Sequence, residues 1–227
     1  MLLSLIKSGA DIWTIIGAIM SVIIVIFLTL PVHEFAHGFV ASKLGDPTPR
    51  YQGRLTLNPI AHIDPVGALG ILLFGIGWAK PVGVNARYFK NPKWGMAITA
   101  LAGPVANIIM AFLSIILRNV ILLLNASVGF TGGIYILVVN FFWYIAFINV
   151  YLAVFNFIPI PPFDGSRVLF AFLPTKYYFA VMKYERVIFV GLLVILYLGV
   201  LDTPISFVAN NVLNGLYYVA ALPFSLF

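Results

Sequence analysis

IWTIIGAIMSVIIVIFLTLPVHEFAH, running from Ile12 to His37, is the stretch on which the fold turns. No charged residue interrupts it from Ile12 to Val32, and a helix crossing about 30 Å of hydrocarbon needs about 20 such residues. Lys7 ahead of it invites comparison with a signal peptide, but no small-residue cleavage site closes the apolar core. The polar cluster His33, Glu34 and His37 follows at once. The segment is therefore read as a retained helix continuing to about Leu44, where Gly45, Asp46 and Pro47 stop it.

The composition outside this stretch agrees with a lipid solvent. Across 227 residues, 62% are apolar or aromatic and only 9% are charged, against about 25% charged in ordinary soluble domains. Such a chain has too little charge to cover a water-exposed surface and too much apolar mass for disorder. Thirteen Lys and Arg against seven Asp and Glu give a net charge of +6. That excess is read as cytoplasmic loops obeying the positive-inside bias, with membrane lipid and no nucleic acid as partner. No cysteine is present, so any metal site must draw on His and carboxylate ligands.

Further spans are expected from Gly95 to about Leu124, from about Ile134 to Phe157, from about Val187 to Leu201 and from Ile205 to Leu222. Turn residues in Asn125–Gly133 separate the first two, and LDTP separates the last two. The uncharged segment Pro65–Ala79, with Gly67, Gly70, Gly75 and Gly77, is short for a straight crossing and reads equally as a re-entrant segment. The fold class expected is an all-α polytopic membrane protein with about five to six transmembrane helices. Residues 1–227 form one membrane-embedded domain in this reading, with no internal repeat and no soluble domain.

Loop charge sets the orientation. Lys80, Arg87, Lys90 and Lys93 fall in one loop and Arg167, Lys176, Lys183 and Arg186 in another, while Asn125–Gly133 and Asp202–Pro204 carry no basic residue. The first two loops are expected on the cytoplasmic side and the last two outside. Because Lys43–Arg54 is basic as well, Pro65–Ala79 must dip in and return on the cytoplasmic side. The N-terminus then lies on the far side, against the mild bias of Lys7.

The chemistry-bearing pattern is H-E-x-x-H. On a helix His33 and His37 lie one turn apart on one face, so both imidazoles can point at one ion, with Glu34 beside it. A zinc ion so held lowers the pKa of bound water to about 7 and polarises a carbonyl, and Glu34 would take the water's proton and pass it to the departing amine. A catalytic zinc also needs a third protein ligand. Asp164 is preferred, because it follows the helix that returns to the same face, and Pro159, Pro161 and Pro162 permit an irregular descent. His62 and Asp64 remain alternatives. Glu185, among Lys183 and Arg186, suits an exposed ion pair, and Asp202 belongs to the opposite face.

HEFAH on an apolar helix, with NFIPIPPFDG (Asn156–Gly165) downstream, resembles the site-2 protease family of intramembrane zinc metalloproteases. GRLTLNPIAHIDPVG (Gly53–Gly67), GWAKPVGVN (Gly77–Asn85) and LAGPVANI (Leu101–Ile108) resemble its short branch, without PDZ or CBS domain. The resemblance runs from about Ile12 to Pro174. It implies three core helices, Zn2+ held by His33, His37 and Asp164, Glu34 as general base, and a site open toward the cytoplasm. In the same motif Asn156 is expected to bind substrate, by its backbone or the developing oxyanion. His62 and Asp64 are expected to close their loop by hydrogen bonds, and Gly103, Pro104 and Asn107 to serve close helix packing.

The substrate expected is the transmembrane helix of another membrane protein, because only such a chain reaches a metal at that depth. It must unwind locally before attack, since an intact helix hides its carbonyls in i→i−4 bonds. Gly53–Leu57 and Pro81–Val84 alternate enough to form short edge strands that would capture the opened chain. Two rival classes fit the residues less well. A prenyl-protein-type HExxH protease needs a later glutamate as third ligand, and a metal transporter or silent metal-binding protein should spread acids and His over several spans.

Overall fold

The computed structural model describes residues 9–74, 78–129, 131–174, 181 and 183–224. Lys7, Gly75, Gly77 and Lys176 lie outside the described residues. The chain folds as helices α1 Ile12–Lys43, α2 Thr48–Tyr51, α3 Pro59–His62, α4 Pro65–Phe74, α5 Pro92–Val128, α6 Gly133–Asn156, α7 Asp164–Phe172, α8 Glu185–Tyr197 and α9 Asp202–Ala221. Three of these, α1, α5 and α6, are long and apolar enough to cross a membrane. They form the core that positions the site.

Helix α1 starts where Asp11 caps it, its carboxylate accepting from the N–H groups of Trp13 and Thr14 at 3.0 and 3.1 Å. It ends at Gly45, whose φ of +105° lies in the left-handed region that glycine tolerates. Asp46, fully buried, then accepts from the N–H groups of Thr48 and Asn85 and ties the helix end to a distant loop. In between, Val25–Thr29 forms a π-helical turn. An extra residue in a turn rotates everything after it by about 100° relative to what precedes. The N-terminal part of α1 packs on α6 and the C-terminal part on α5.

Polar contacts fasten α1 to α6: Asn140 Nδ2 donates to Thr14 Oγ1 at 2.9 Å, Ser21 Oγ to the Phe141 carbonyl at 2.9 Å, and Asn149 Nδ2 to Thr29 Oγ1 at 3.3 Å. Helix α5 buries Gly95, Ala97, Ala100, Gly103, Asn107, Ala111 and Ser114 and exposes Ile98, Val105, Ile109, Leu113 and Leu117. Small residues inside and large ones outside is the pattern of a helix whose outer solvent is itself apolar. Below the site, Ala111, Ile115, Ala146, Val150, Ala209 and Leu213 join α5, α6 and α9 in one apolar cluster.

Several expectations resolve differently. Of the two later spans, α8 has 13 residues, about 20 Å, and α9 has 20 residues but exposes Asn210, Asn211 and Asn214. Both therefore fall outside the set that is long and apolar enough to cross. The segment Pro65–Ala79 opens with the 10-residue helix α4 and ends where Ala79 forms an antiparallel bridge with Ile63, so its two ends meet. No edge strand forms at Gly53–Leu57 or Pro81–Val84. In the second of these, two N–H groups go to side chains: Val82 to Glu34 Oε2 and Gly83 to Gln52 Oε1.

Candidate metal centre

Both histidines project from the last turns of α1, where the helix face meets α5. His33 and His37 are 6% and 8% exposed, and their Nε2 atoms stand 3.0 Å apart. Asp164 arrives from the other side, in the first turn of α7. Its Oδ2 lies 3.4 Å from His33 Nε2 and 3.3 Å from His37 Nε2. Helix α7 is held for this by Lys93 Nζ, which donates to the Leu173 carbonyl at 2.6 Å, and by Trp94 against Phe172. Gly165 lets its first turn press on the proline loop, because an added Cβ there would collide with the Phe157 carbonyl.

Three donor atoms about 2.1 Å from a tetrahedral ion stand about 3.4 Å from one another. The two separations to Asp164, 3.4 and 3.3 Å, match that figure, and the 3.0 Å between the imidazoles is slightly shorter. Asp164 Oδ2 is also buried without a hydrogen-bond donor of its own. Two imidazoles and a carboxylate are a zinc donor set, and these residues fit such an ion.

Backbone groups complete the arrangement. The Thr99 carbonyl lies 2.7 Å from His37 Nδ1. A carbonyl only accepts, so Nδ1 carries the proton and Nε2 is left free for a metal. Gly103, one turn further along α5, makes room for both rings: an added Cβ would sit 2.5 Å from His33 Cε1 and Nε2 and nearer still to His37 Nε2. Glu34, next to His33, is held by the loop after α4, where the Val82 N–H donates to its Oε2 at 2.9 Å. Sequence reasoning did not find Thr99, Val82 or the cradle at Gly103. The first two act through main-chain atoms that every residue type shares, and Gly103 was expected to serve close helix packing without the histidines being named as its neighbours.

The other candidates lie elsewhere. His62 is fully buried in α3 with Nε2 at 2.8 Å from the Thr56 carbonyl. Asp64 caps α4 by accepting from the N–H groups of Val66 and Gly67. Both serve loop hydrogen bonds, separately and not as a pair. Glu185 Oε1 is 3.8 Å from Arg167, and Asp202 sits in the first turn of α9. Asn156 ends α6 beside the proline loop, its Nδ2 donating back to the Leu152 carbonyl at 2.9 Å.

Residues 21–198 match peptidase family M50. The chain belongs to this family. M50 is the site-2 protease family that the motifs resembled, and the match takes in all three donors and Glu34. Among curated proteins, the "Putative zinc metalloprotease YwhC" of Bacillus subtilis is 40% identical over 157 residues, 67% of this chain and 68% of that protein. The "Putative zinc metalloprotease Rip2" of Mycolicibacterium smegmatis is 31% identical over 163 residues, covering 68% of this chain and 58% of its own length. The "Zinc metalloprotease MJ0392" of Methanocaldococcus jannaschii is 27% identical over 154 residues, a third of its own length at 34%. No solved structure matches the chain. Family membership and the convergent donor set together make this M50 protein a zinc metalloprotease of the membrane.

Proposed function

We propose that the protein hydrolyses peptide bonds within transmembrane segments of other membrane proteins, with Zn2+ held by His33, His37 and Asp164 and Glu34 as the general base. The observation that carries this is the position of the donor group on α1. His33 lies ten residues before Lys43 along a helix long enough to span, about 15 Å from its charged end. A chain cleaved there must itself reach into the bilayer.

When bound, the ion polarises the scissile carbonyl and lowers the pKa of the attacking water. Glu34 takes the proton from that water as the new C–O bond forms and delivers it to the amide nitrogen as the C–N bond breaks. The Val82 N–H fixes one carboxylate oxygen and leaves the other for proton transfer. His37 is kept in the ligating tautomer by Thr99. Asn156, at the rim of the proline loop, donates to the substrate backbone or to the oxyanion.

The basic loops support a site facing the cytoplasmic side, and the bridge between Ile63 and Ala79 supports a segment that enters the bilayer and returns to the same face. Such an enzyme serves regulated intramembrane proteolysis or the clearance of membrane proteins.

The test is cleavage of a labelled transmembrane helix by the purified zinc-loaded protein in lipid vesicles, beside Glu34→Gln. The variant should keep its zinc and lose at least 100-fold in cleavage rate. Undiminished cleavage by Glu34→Gln removes Glu34 from the base role, and failure of the wild type to cut any membrane-embedded helix removes the substrate class.

A further inference from the structure

Beneath the metal centre lies a buried polar layer that the reaction as described does not use. Thr29 on α1, Asn107 on α5 and Asn149 on α6 are 0%, 1% and 0% exposed. Register places them together. His37 meets Thr99 and His33 meets Gly103, so α1 and α5 run antiparallel, and one turn back from His33 to Thr29 is one turn on from Gly103 to Asn107. Asn149 reaches the same level, since its Nδ2 donates to Thr29 Oγ1.

Among the described residues, both amide atoms of Asn107, Oδ1 of Asn149 and Nδ1 of His33 are buried without a hydrogen-bond partner. Buried polar atoms are rarely left so. Side chains on a helix lean toward its N-terminus. For His33 that direction is toward Thr29, and for Asn107 it is toward Gly103 and His33. The two side chains therefore lean at each other across the seam. His37 has its outer partner in Thr99, whereas His33 has none, although metal-ligating histidines almost always have one.

We propose that Asn107 is the positioning residue of His33, acting through one internal water. The water accepts from His33 Nδ1–H and from Asn107 Nδ2, and donates to the Oδ1 atoms of Asn107 and Asn149. Four bonds satisfy the water and every orphaned atom of the layer. His33 Nδ1 then keeps its proton, and Nε2 stays directed at the metal. This rests on the proposed zinc ligation and adds to it the device that sets its first ligand.

The experiment measures zinc affinity of the purified full chain by competition with a chromogenic chelator, together with the absorption spectrum of the cobalt(II)-loaded form and the melting temperature without metal. Asn107→Leu, similar in size and apolar, should raise the zinc dissociation constant 10–100-fold and alter the cobalt spectrum, with the metal-free melting temperature unchanged. Asn107→Ser, which keeps a donor and an acceptor beside the water, should remain within a few-fold of wild type. If Asn107→Leu does not fold, Asn107→Ala supplies the apolar arm with the same expectation. Wild-type affinity and spectrum in the apolar variant, or equal losses in the apolar and serine variants, overturn the proposal while leaving the zinc site standing. A wild-type protein that binds no zinc overturns both.

Discussion

Replacing Gly103 with alanine adds one methyl group to a helix otherwise unaltered, and the structure says where that methyl goes. It would sit 2.5 Å from His33 Cε1 and Nε2 and closer to His37 Nε2. Carbon contacts relax at about 3.5–4.0 Å, so the rings must retreat by about 1 Å. His37 cannot swing away alone, because its Nδ1 is fastened to the Thr99 carbonyl on the same helix as Gly103. Helices α1 and α5 must therefore part, or that hydrogen bond must break. Zinc ligation tolerates about 0.2 Å of error, so the expected loss in zinc affinity is at least about 100-fold, roughly 2.7 kcal/mol.

Stability should respond far less, since overpacking by a methyl costs about 1–3 kcal/mol and alanine regains about 0.8–1.0 kcal/mol over glycine in a helix. Chelator competition and a thermal melt on the metal-free protein separate the two effects. Gly215→Ala is the control, since a Cβ there meets nothing within 4 Å. Wild-type zinc affinity in Gly103→Ala would refute the reasoning.

Asp164→Ala should lower zinc affinity more than 100-fold, read by metal analysis after dialysis, while full occupancy would assign the third position to another residue. Asn156→Ala should leave zinc untouched and slow cleavage about 100-fold, and a variant with an unchanged rate frees Asn156 from any substrate role. The chain lacks cysteine, so single cysteines at Asn85 and Gly129 can be labelled uniquely from either face of sealed vesicles. Opposite-side labelling is expected, and same-side labelling would break the topology.

The long helices were legible because length and apolarity set them directly. Expected spans of Gly95–Leu124 and Ile134–Phe157 became Pro92–Val128 and Gly133–Asn156, and the stop at Gly45–Pro47 is where α1 ends. His33 and His37 were legible because helical spacing alone puts them on one face. Asp164 needed the proline loop to be read as a route back to the same level. What stayed hidden is main-chain work. The π-helical turn Val25–Thr29 carries no residue that demands it. Alternating residues at Pro81–Val84 suggested strand pairing, yet Val82 gives its N–H to Glu34, an acceptor that a propensity argument does not see. The expected crossing at Ile205–Leu222 is not among the three helices long and apolar enough to span, and α9 exposes Asn210, Asn211 and Asn214.

In lipid, burying a large apolar side chain between helices brings little, because the tails outside are equally apolar. Helix α5 accordingly turns Ile98, Val105, Ile109 and Leu113 outward and Gly95, Ala97, Ala100 and Gly103 inward. That inversion shortens the distance between backbones and sets Thr99, Asn107 and Ser114 on the buried face, where an unpaired polar group would otherwise be most costly. The site needs the same closeness: three donors from α1 and α7 separated by 3.0–3.4 Å, with the Thr99 carbonyl of α5 within reach of His37. A leucine at Gly103 would suit lipid as well as glycine does, but it would hold α1 and α5 too far apart for the imidazoles to share one ion. The small-residue stripe therefore serves the donor group as much as the packing, with the packing glycine and the two histidines at one level of the seam.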